Sequence, residues 1–469
     1  MPFCKTGGLA DVAGALPPEI AKALLGSHVL CFLPKYRAVD AASHGLEKLP
    51  FILKIPMGEK IEKARFFKHK DGQVETIFVD HPGYFDRGGI YGEGGKDYED
   101  SAERYAFFCR AILEFCKKIK FAPDIAHCHD WQTGLLPAYL KTLYAKDVLF
   151  RKTRSIFTIH NMAYQGNFSK EYLHLTGLPW SVFTPEKLEF FNFVSYLKAG
   201  LVFSDHINAV SPSYAREIRT DPKFGCGMEG LLAARAQVLS GILNGLDEKI
   251  WNPSKDPMIS AQFSVRSKNL SQAKAACKLD LQTQALLAPN ARAPLIGMVT
   301  RLDPQKGFKM VMEVFPKIAS ENPQTQWIIL GNGLPEIEKE LELYPQKFPG
   351  RFFFEKKFDD PLAHKIYAGA DIFLMPSEYE PCGLGQMIAM KYGTVPVVTP
   401  TGGLLDTVTP AAGFTCSEVS APALYAKLGQ ALKTFEKKSR WDALRNQGMK
   451  LNFSWKKSVR EYVKLYKYV

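Results

Sequence analysis

Two cations and one carboxylate in the second half of this 469-residue sequence each follow a short apolar run. Arg301 and Lys306 lie five residues apart in the turn RLDPQKG, and Glu380 opens the segment EPCGL. A guanidinium binds phosphate oxygens in a bidentate manner, whereas an ammonium acts as a point charge. Together the two cations predict a site for a diphosphate, and the alternative for this turn is an ordinary basic surface loop.

The segment EPCGL lies between a predicted strand and a helix that is predicted to begin near Gly385. Backbone N–H groups that no carbonyl has satisfied at such a helix start attract anions. The Glu380 carboxylate, just ahead of these groups, is placed to meet positive charge or sugar hydroxyls. The alternative is a glutamate that only precedes a helix.

One short motif occurs twice in the chain, as KTGGLADV from Lys5 and as TGGLLDTV from Thr401. A glycine pair that opens an apolar run lets the backbone approach a ligand closely. Two such loops predict one anionic ligand held from both sides of a cleft. The alternative is that each glycine pair is only a turn.

His160 follows another predicted strand and has polar and aromatic neighbours in the chain, namely Asn161, Tyr164–Gly166 and Asp130–Gln132. Such surroundings are typical of a site that holds a sugar ring, although a lone histidine on an apolar strand more often has a structural role. The string HCHD contains residue types that bind metals. Because its residues alternate across a strand end and no second ligand cluster accompanies them, we predict no metal site.

The elements that position these residues follow the rhythm of a parallel α/β protein. Each half of the chain contains five short β-branched or aromatic runs that end at polar or glycine loops and lead into helical patterns. Between the halves, ILNGLD and WNP supply the glycine and proline expected of a hinge. We therefore predict two doubly wound domains with ligands at the carboxyl ends of their strands.

Composition narrows the class of protein. The formal net charge of +12 is spread over scattered lysine pairs, which indicates a solvated surface, and no nucleic-acid-binding module is present. The longest apolar runs are well short of the ~20 residues that a membrane helix needs. Nine cysteines without a CxxC pair favour a reducing compartment over a disulfide framework.

Eight segments, in order, closely resemble the motifs of bacterial glycogen synthases and plant starch synthases. They are KTGGLADVAGALP, HCHDWQTG, TIHNMAYQG, AVSPSYAREI, SGILNGLD, TRLDPQKG, FLMPSEYEPCGL and TGGLLDTV. The resemblance implies an α/β GT-B fold, in which two Rossmann-like domains (1–245 and 246–469) face each other across a cleft. It also implies a final helix, 454–468, that packs back on the N-terminal domain.

The resemblance further implies a retaining glucosyltransferase of glycosyltransferase family 5. Its donor is ADP-glucose and its acceptor is an α-1,4-glucan, glycogen or starch. The family needs no metal and no cofactor, and neither nucleic acid nor a membrane is an expected partner. We expect a cytoplasmic enzyme, or a plastid enzyme if the source is a plant; the oligomeric state stays open.

Roles follow from the resemblance at the matching positions. Arg301 and Lys306 would neutralise the departing ADP, and the diphosphate site would be completed by the backbone amides of Cys382, Gly383, Leu384, Thr401, Gly402 and Gly403. Lys5 would contact the donor from the first domain, where the remaining substrate-binding residues are Gly7, Gly8 and Asn161. The catalytic set would be Glu380, which stands by the sugar ring, with His160 and Asp130 bordering the glucose.

The sequence departs from the family pattern at its start, where the strand that precedes the lysine loop is missing. We interpret this as a misplaced start or a partial record and expect an exposed core and a loosened Lys5. Leu334, Glu378 and Leu405 also differ from common family residues, which concerns the nucleotide fit. The alternatives are a related GT-B transferase that uses UDP-glucose or another acceptor, and a non-catalytic glucan-binding relative.

Overall fold

The computed structural model describes residues 3–94, 96–357 and 359–469. The chain divides into two compact units. The first unit comprises the chain up to Val210, together with Ala215–Ile242 and Trp455–Val469. The second comprises Ser211–Tyr214 and Leu243–Ser454.

The chain up to residue 242 contains nine α-helices and thirteen strands among its described residues. The helices are α1 (Gly8–Ala23), α2 (Pro82–Phe85), α3 (Ser101–Lys118), α4 (Leu135–Lys141), α5 (Leu173–Thr176), α6 (Tyr196–Phe203), α7 (Pro212–Thr220), α8 (Pro222–Gly225) and α9 (Glu229–Ala234). The strands are β1 (Val29–Pro34), β2 (Glu47–Met57), β3 (Lys60–Asp71), β4 (Val74–Asp80), β5 (Gly92–Glu93), β6 (Lys96–Asp97), β7 (Ile125–His129), β8 (Arg154–Ile159), β9 (Asn167–Ser169), β10 (Glu189–Phe190), β11 (Phe193–Ser195), β12 (His206–Ala209) and β13 (Leu239–Gly241).

The main strands of the first unit form two four-stranded sheets. The order of one sheet is β1-β4-β3-β2, and the order of the other is β13-β12-β8-β7. The second sheet is parallel throughout, as the apolar runs predict. Among the described residues no strand pairs with the outer edge of β1 or β7, and most side chains of these two strands are only half-buried.

The hairpin of β2 and β3 is an element that the sequence rhythm does not predict. β3 pairs antiparallel with both β2 and β4, so this sheet is mixed, whereas only parallel pairing was expected. The reason is the pattern of β2, in which exposed residues such as Lys48 and Lys54 alternate with half-buried or buried apolar residues. Such alternation is typical of a sheet with one solvated face and differs from the continuous apolar runs of buried parallel strands.

The second unit is built on one parallel six-stranded sheet. Its strands are β14 (Leu295–Val299), β15 (Gln326–Leu330), β16 (Phe352–Glu355), β17 (Ile372–Met375), β18 (Val395–Val398) and β19 (Phe414–Thr415). Its helices are α10 (Leu270–Gln284), α11 (Phe308–Glu321), α12 (Pro335–Lys347), α13 (Asp360–Gly369), α14 (Gly385–Lys391), α15 (Gly402–Thr407), α16 (Ala421–Phe435) and α17 (Lys438–Lys450).

The strand order of this sheet, β16-β15-β14-β17-β18-β19, is that of a dinucleotide-binding sheet. The chain leaves β14 toward β15 on one side, and the later strands are added from β17 on the other side. The order therefore reverses between β14 and β17, and ligands bind at the carboxyl ends of the strands at such a switch point. The loops that follow β14 and β17 are the ones to examine.

The last helix, α18 (Trp455–Tyr468), returns to the first unit. Trp455, Val459, Tyr462 and Leu465 repeat at helical spacing and are buried in one cluster with α1 residues such as Val12 and Leu16. No helix among the described residues is both long enough and apolar enough to cross a bilayer.

Candidate active site

The loops after β14 and β17 pack directly against each other in the second unit. Residues Pro304–Lys306 form a 3-10 turn that ends at Gly307, whose φ is +72°. A Cβ at Gly307 would lie 1.9 Å from the carbonyl oxygen of Pro376, so no larger residue fits at this position. The glycine of RLDPQKG therefore brings Lys306 next to the loop that carries Glu380.

Lys306 and Glu380 form a buried ion pair, with Nζ 2.7 Å from Oε2. The exposed fractions of the two side chains are 15% and 8%. The Ser377 hydroxyl donates to the same oxygen at 3.0 Å, so the carboxylate is held at a fixed position. Because the pair is desolvated, loss of either charge would leave the other uncompensated. Sequence reasoning missed Ser377, although it lies only three residues before Glu380.

Arg301 is the more open cation of this loop. Its side chain is 53% exposed, and its Nη2 lies 3.5 Å from Oδ2 of Asp303. The structure therefore places Arg301 and Lys306 on the same loop after β14 but in different environments. An exposed guanidinium is accessible to an arriving phosphate.

The segment that follows Glu380 presents backbone amides. Cys382 is buried, whereas Gly383 and Leu384 are half-buried, and Gly383 has a φ of +72°. No hydrogen bond to a described residue is formed by the amides of Cys382, Gly383 and Leu384. Burial raises the pKa of the Cys382 thiol to about 12, so this side chain is neutral. The predicted anion site is thus compatible with the geometry at these three residues.

The second glycine pair is packed closely against other backbone. A Cβ at Gly402 would lie 2.0 Å from the carbonyl oxygen of Glu380, and one at Gly403 would lie 2.1 Å from that of Cys382. The Gly403 amide already donates to the carbonyls of Glu380 and Pro381, and the Thr401 amide donates to Thr399. These glycines therefore let one backbone approach another backbone, and the amides of Thr401 and Gly403 hold the loop together.

The segment Ser211–Tyr214 supports the same loops. The Ser211 hydroxyl donates to the carbonyl of Pro381 at 2.7 Å. The Ser213 amide and hydroxyl donate to the two carboxylate oxygens of Asp406, at 2.8 and 2.7 Å. The hydroxyls of Tyr214 and Tyr379 are in contact. Asp406 was not among the predicted site residues, although its position in the repeated motif TGGLLDTV could have indicated it.

In the first unit, the glycine pair of the lysine loop is open. Nothing lies within 4 Å of a Cβ built on Gly7 or Gly8. The Lys5 ammonium is 2.7 Å from the Asp11 carboxylate in the first turn of α1, and its side chain is 53% exposed. The two copies of the repeated motif thus differ in structure. The glycines of the first copy face open space, whereas those of the second copy pack against backbone.

Asp130 organises the turn that contains His160 and Asn161. Its φ is +54°, and its Oδ1 accepts the His160 amide at 2.7 Å. The Asn161 amide also donates to this carboxylate, while burial outweighs both bonds and raises the pKa of Asp130 to about 7. Tyr91 lies close enough for Asp130 to raise its pKa and is hydrogen-bonded to Thr6 of the lysine loop. The three predicted residues are therefore together, and Asp130 holds the other two in position.

A row of histidines extends from this turn to α18. The His129 Nδ1 lies 3.0 Å from the His160 Nε2, and the His127 ring is 4.3 Å from the His129 ring. The His127 Nδ1 is 2.7 Å from the hydroxyl of Tyr466. Sequence reasoning placed HCHD at a strand end but missed Tyr466, which is more than three hundred residues away.

These histidines predict a pH-dependent stability. Burial lowers the pKa of His127 and His160 well below its usual range and that of His129 to about 4. In the unfolded chain these three histidines take up protons near pH ~6.5, whereas in the folded chain they stay neutral at that pH. Acid therefore favours the unfolded state, and the free energy of unfolding should fall as the pH falls below ~6.5.

Thermal melting between about pH 7.5 and 5 checks this prediction. His129→Gln should reduce the pH dependence. The matched control is His28→Gln, because the His28 side chain is 52% exposed and should leave the slope unchanged. A melting temperature that stays constant or rises on acidification would contradict the prediction.

Within residues 3–94, 96–357 and 359–469, no three His, Cys, Asp or Glu side chains form a group able to hold a metal ion. In the second unit, the described residues bring together the cations of the loop after β14 and the backbone amides of the loop after β17. In the first unit they assemble a lysine loop and a histidine turn.

Comparisons with known proteins agree with the motifs. The sequence profile of the starch synthase catalytic domain matches residues 1–234, and that of glycosyl transferases group 1 matches residues 283–444. A glycogen synthase of Elusimicrobium minutum is 45% identical to this chain, over 99% of the chain and 97% of the relative. One from Syntrophotalea carbinolica is 44% identical, over 99% and 96%.

Solved structures give the same result. The catalytic domain of starch synthase IV from Arabidopsis thaliana, bound to ADP and acarbose, superimposes with a TM-score of 0.90 at 33% identity. The match covers 100% of this chain and 97% of that domain. A sucrose-phosphate synthase from Thermosynechococcus elongatus gives a TM-score of 0.60 at 18% identity over 99% and 94% of the two chains, which shows a shared fold.

Proposed function

Because the chain belongs to the family of glycogen and starch synthases, we propose that it transfers glucose from ADP-glucose to an α-1,4-glucan. The acceptor is the 4-hydroxyl at the non-reducing end of the glucan, and the configuration at the transferred carbon is retained. The observation that carries the proposal is the buried Lys306–Glu380 pair at the switch point of the second sheet, 2.7 Å between Nζ and Oε2.

The diphosphate is assigned to the loops of the second unit. Lys306 and Arg301 supply two positive charges, and the amides of Cys382, Gly383 and Leu384 supply neutral donors that no described residue occupies. Preorganised donors of this kind stabilise charge that develops on a leaving group. Thr401, Gly402 and Gly403 are assigned to the same diphosphate site, where they also position the loop of Glu380.

In the second unit the sugar is assigned to Glu380. In the first unit the residues assigned to the substrates are His160, Asp130, Asn161, Lys5, Gly7 and Gly8. Lys306 and Ser377 hold the Glu380 carboxylate. Binding of the diphosphate would draw the lysine charge toward phosphate, which leaves the Glu380 carboxylate available to the sugar ring as positive charge develops there.

The transfer step balances without a cofactor. The bond between the anomeric carbon of glucose and the diphosphate oxygen breaks, and the acceptor O4 forms a bond to that carbon on the same face. The acceptor proton passes to the departing phosphate oxygen, and the electron pair of the broken bond remains on ADP. Lys306 and Arg301 stabilise the negative charge that results.

The experiment is the transfer of labelled glucose from ADP-glucose to a glycogen primer, with UDP-glucose in parallel. Turnover that is higher with ADP-glucose supports the proposal. Higher turnover with UDP-glucose would replace the donor and keep the reaction class. Glycogen binding without transfer from either donor would instead favour a non-catalytic glucan-binding protein.

A further inference from the structure

Phe191 occupies a backbone conformation that is unusual for its side chain. It forms, with Asn192, the two-residue turn between β10 and β11, and the φ angles are +49° and +66°. Turns with two such residues strongly favour asparagine and glycine, because a Cβ disfavours this region. Among the described residues Phe191 is the only aromatic residue with a positive φ.

The Phe191 side chain is also 76% exposed. A large apolar ring in water contributes no burial energy, so neither its backbone nor its exposure stabilises the fold. Strained and exposed positions of this kind concentrate at functional sites. Phe193, which begins β11, is 47% exposed and adds a second aromatic side chain to the same hairpin.

The Phe191 ring is nevertheless held in place. Its ring lies 4.6 Å from that of Phe190 in an edge-to-face arrangement. Beneath both rings lies Gly227, where a Cβ would come within 3.0 Å of the Phe190 ring and 3.5 Å of the Phe191 ring. A bare glycine under two rings makes a platform that is ordered before any ligand arrives.

This platform is joined to the candidate sugar site of the first unit. The Gln165 side chain donates to the carbonyl of Cys226, next to Gly227, at 2.9 Å. The Tyr196 amide, immediately after β11, donates to the carbonyl of Gly166, where a Cβ would lie 2.5 Å from the Trp131 ring. Gln165 and Gly166 belong to the loop that follows His160, so the hairpin and the site share one rigid frame.

We propose that Phe191, with Phe193 beside it, binds the α-1,4-glucan acceptor outside the catalytic residues. Glucose units present apolar C–H faces that pack on aromatic rings and carry no charge, which matches an exposed pair of phenylalanines. The inference rests on the proposed function because it takes its ligand from it. The platform would hold the acceptor chain while its end reaches the His160 turn.

The test replaces Phe191 by asparagine, which the left-handed turn favours. Binding of maltoheptaose is measured by calorimetry without donor, and the KM for glycogen is measured by transfer. We expect the Phe191→Asn variant to bind maltoheptaose about five- to tenfold more weakly and to show a similar rise in KM, with kcat unchanged. Its melting temperature should stay the same or rise, whereas Phe191→Tyr should retain binding.

Leu286→Asn is the matched control, because Leu286 is 83% exposed, has a φ of +52° and lies in the second unit. It should gain stability in the same way and leave glucan binding unchanged. Equal maltoheptaose binding by the wild type and Phe191→Asn would overturn the inference and direct attention to a protein partner at the hairpin.

The calorimetric arm separates this inference from the proposed function. If the wild type binds maltoheptaose but transfers no glucose, the proposed function fails, and the Phe191→Asn comparison still decides the inference. If the wild type does not bind maltoheptaose at all, the inference is wrong. If only Leu286→Asn weakens binding, the platform is not where the glucan lies, and the inference is again overturned.

Discussion

Replacement of Lys306 by alanine is expected to lower kcat about 10²–10³-fold, because it removes one preorganised charge from the diphosphate site. Lys306 lies after β14 and Glu380 after β17, and their side chains meet at 2.7 Å with little exposure to water. In a desolvated site a fixed charge stabilises a departing phosphate far more than it would in water. Transfer of labelled glucose to glycogen under saturating donor measures the effect.

A second variant, Glu380→Gln, separates loss of charge from loss of packing. Glutamine preserves the shape of the side chain and can still accept the hydrogen bonds from Lys306 and Ser377. We expect a similar loss of turnover in the folded variant, with a lowered melting temperature because the buried Lys306 ammonium loses its partner charge. Near-normal turnover in either variant would contradict the assignment.

The matched control for Lys306 is Lys356→Ala. Lys356 also forms an ion pair at 2.7 Å, with Glu342, but the two side chains are 59% and 44% exposed. An exposed pair contributes little to stability, and this one lies outside every loop assigned to the substrate. Its turnover should therefore match that of the wild type, and an equal loss in both variants would show that the assay reports general damage.

Gly402→Ala should damage both the fold and the reaction. The new methyl group would lie 2.0 Å from the carbonyl oxygen of Glu380, and the φ of +45° disfavours any Cβ. The loop of Glu380 must move, and a displacement of about 1 Å in a positioned catalytic group can cost ~10²-fold in rate. Overpacking should also lower the free energy of unfolding by about 1–3 kcal/mol.

The first copy of the repeated motif provides the control for the effect of Gly402→Ala on stability. Gly7 corresponds to Gly402 in TGGL, but nothing lies within 4 Å of its Cβ position. Gly7→Ala should therefore change the free energy of unfolding by only a few tenths of a kcal/mol, the cost of a weaker helix cap. Chemical unfolding of both variants is the measurement. Equal destabilisation would mean that the glycines of the two copies of the motif have the same structural role.

The two copies of the motif show how much of a glycine's structural role local sequence can predict. Both read Thr-Gly-Gly-Leu and both begin a helix, as predicted. Whether a glycine faces open space or another backbone depends on what folds against it, and the residues against Gly402 and Gly403 belong to the loop of Glu380 and Cys382. No pattern within TGGLLDTV contains that information. The structure shows what the second pair packs against, and its approach to a ligand stays a prediction.

The sequence by itself determined five of the six strands of the second unit, the residues that follow those strands, and the family, whereas the short strand β19 was not predicted. Those features depend on local periodicity and on motifs that stay contiguous in the chain. Only the tertiary structure decided that Lys306 pairs with Glu380, that Asp130 holds the His160 turn, that Tyr466 reaches His127, and that Phe191 is exposed at a strained turn. The physical reason is that three of these four are contacts between chain segments set by sheet order and helix packing. The fourth is a balance between backbone strain and burial that neighbouring residues alone do not set.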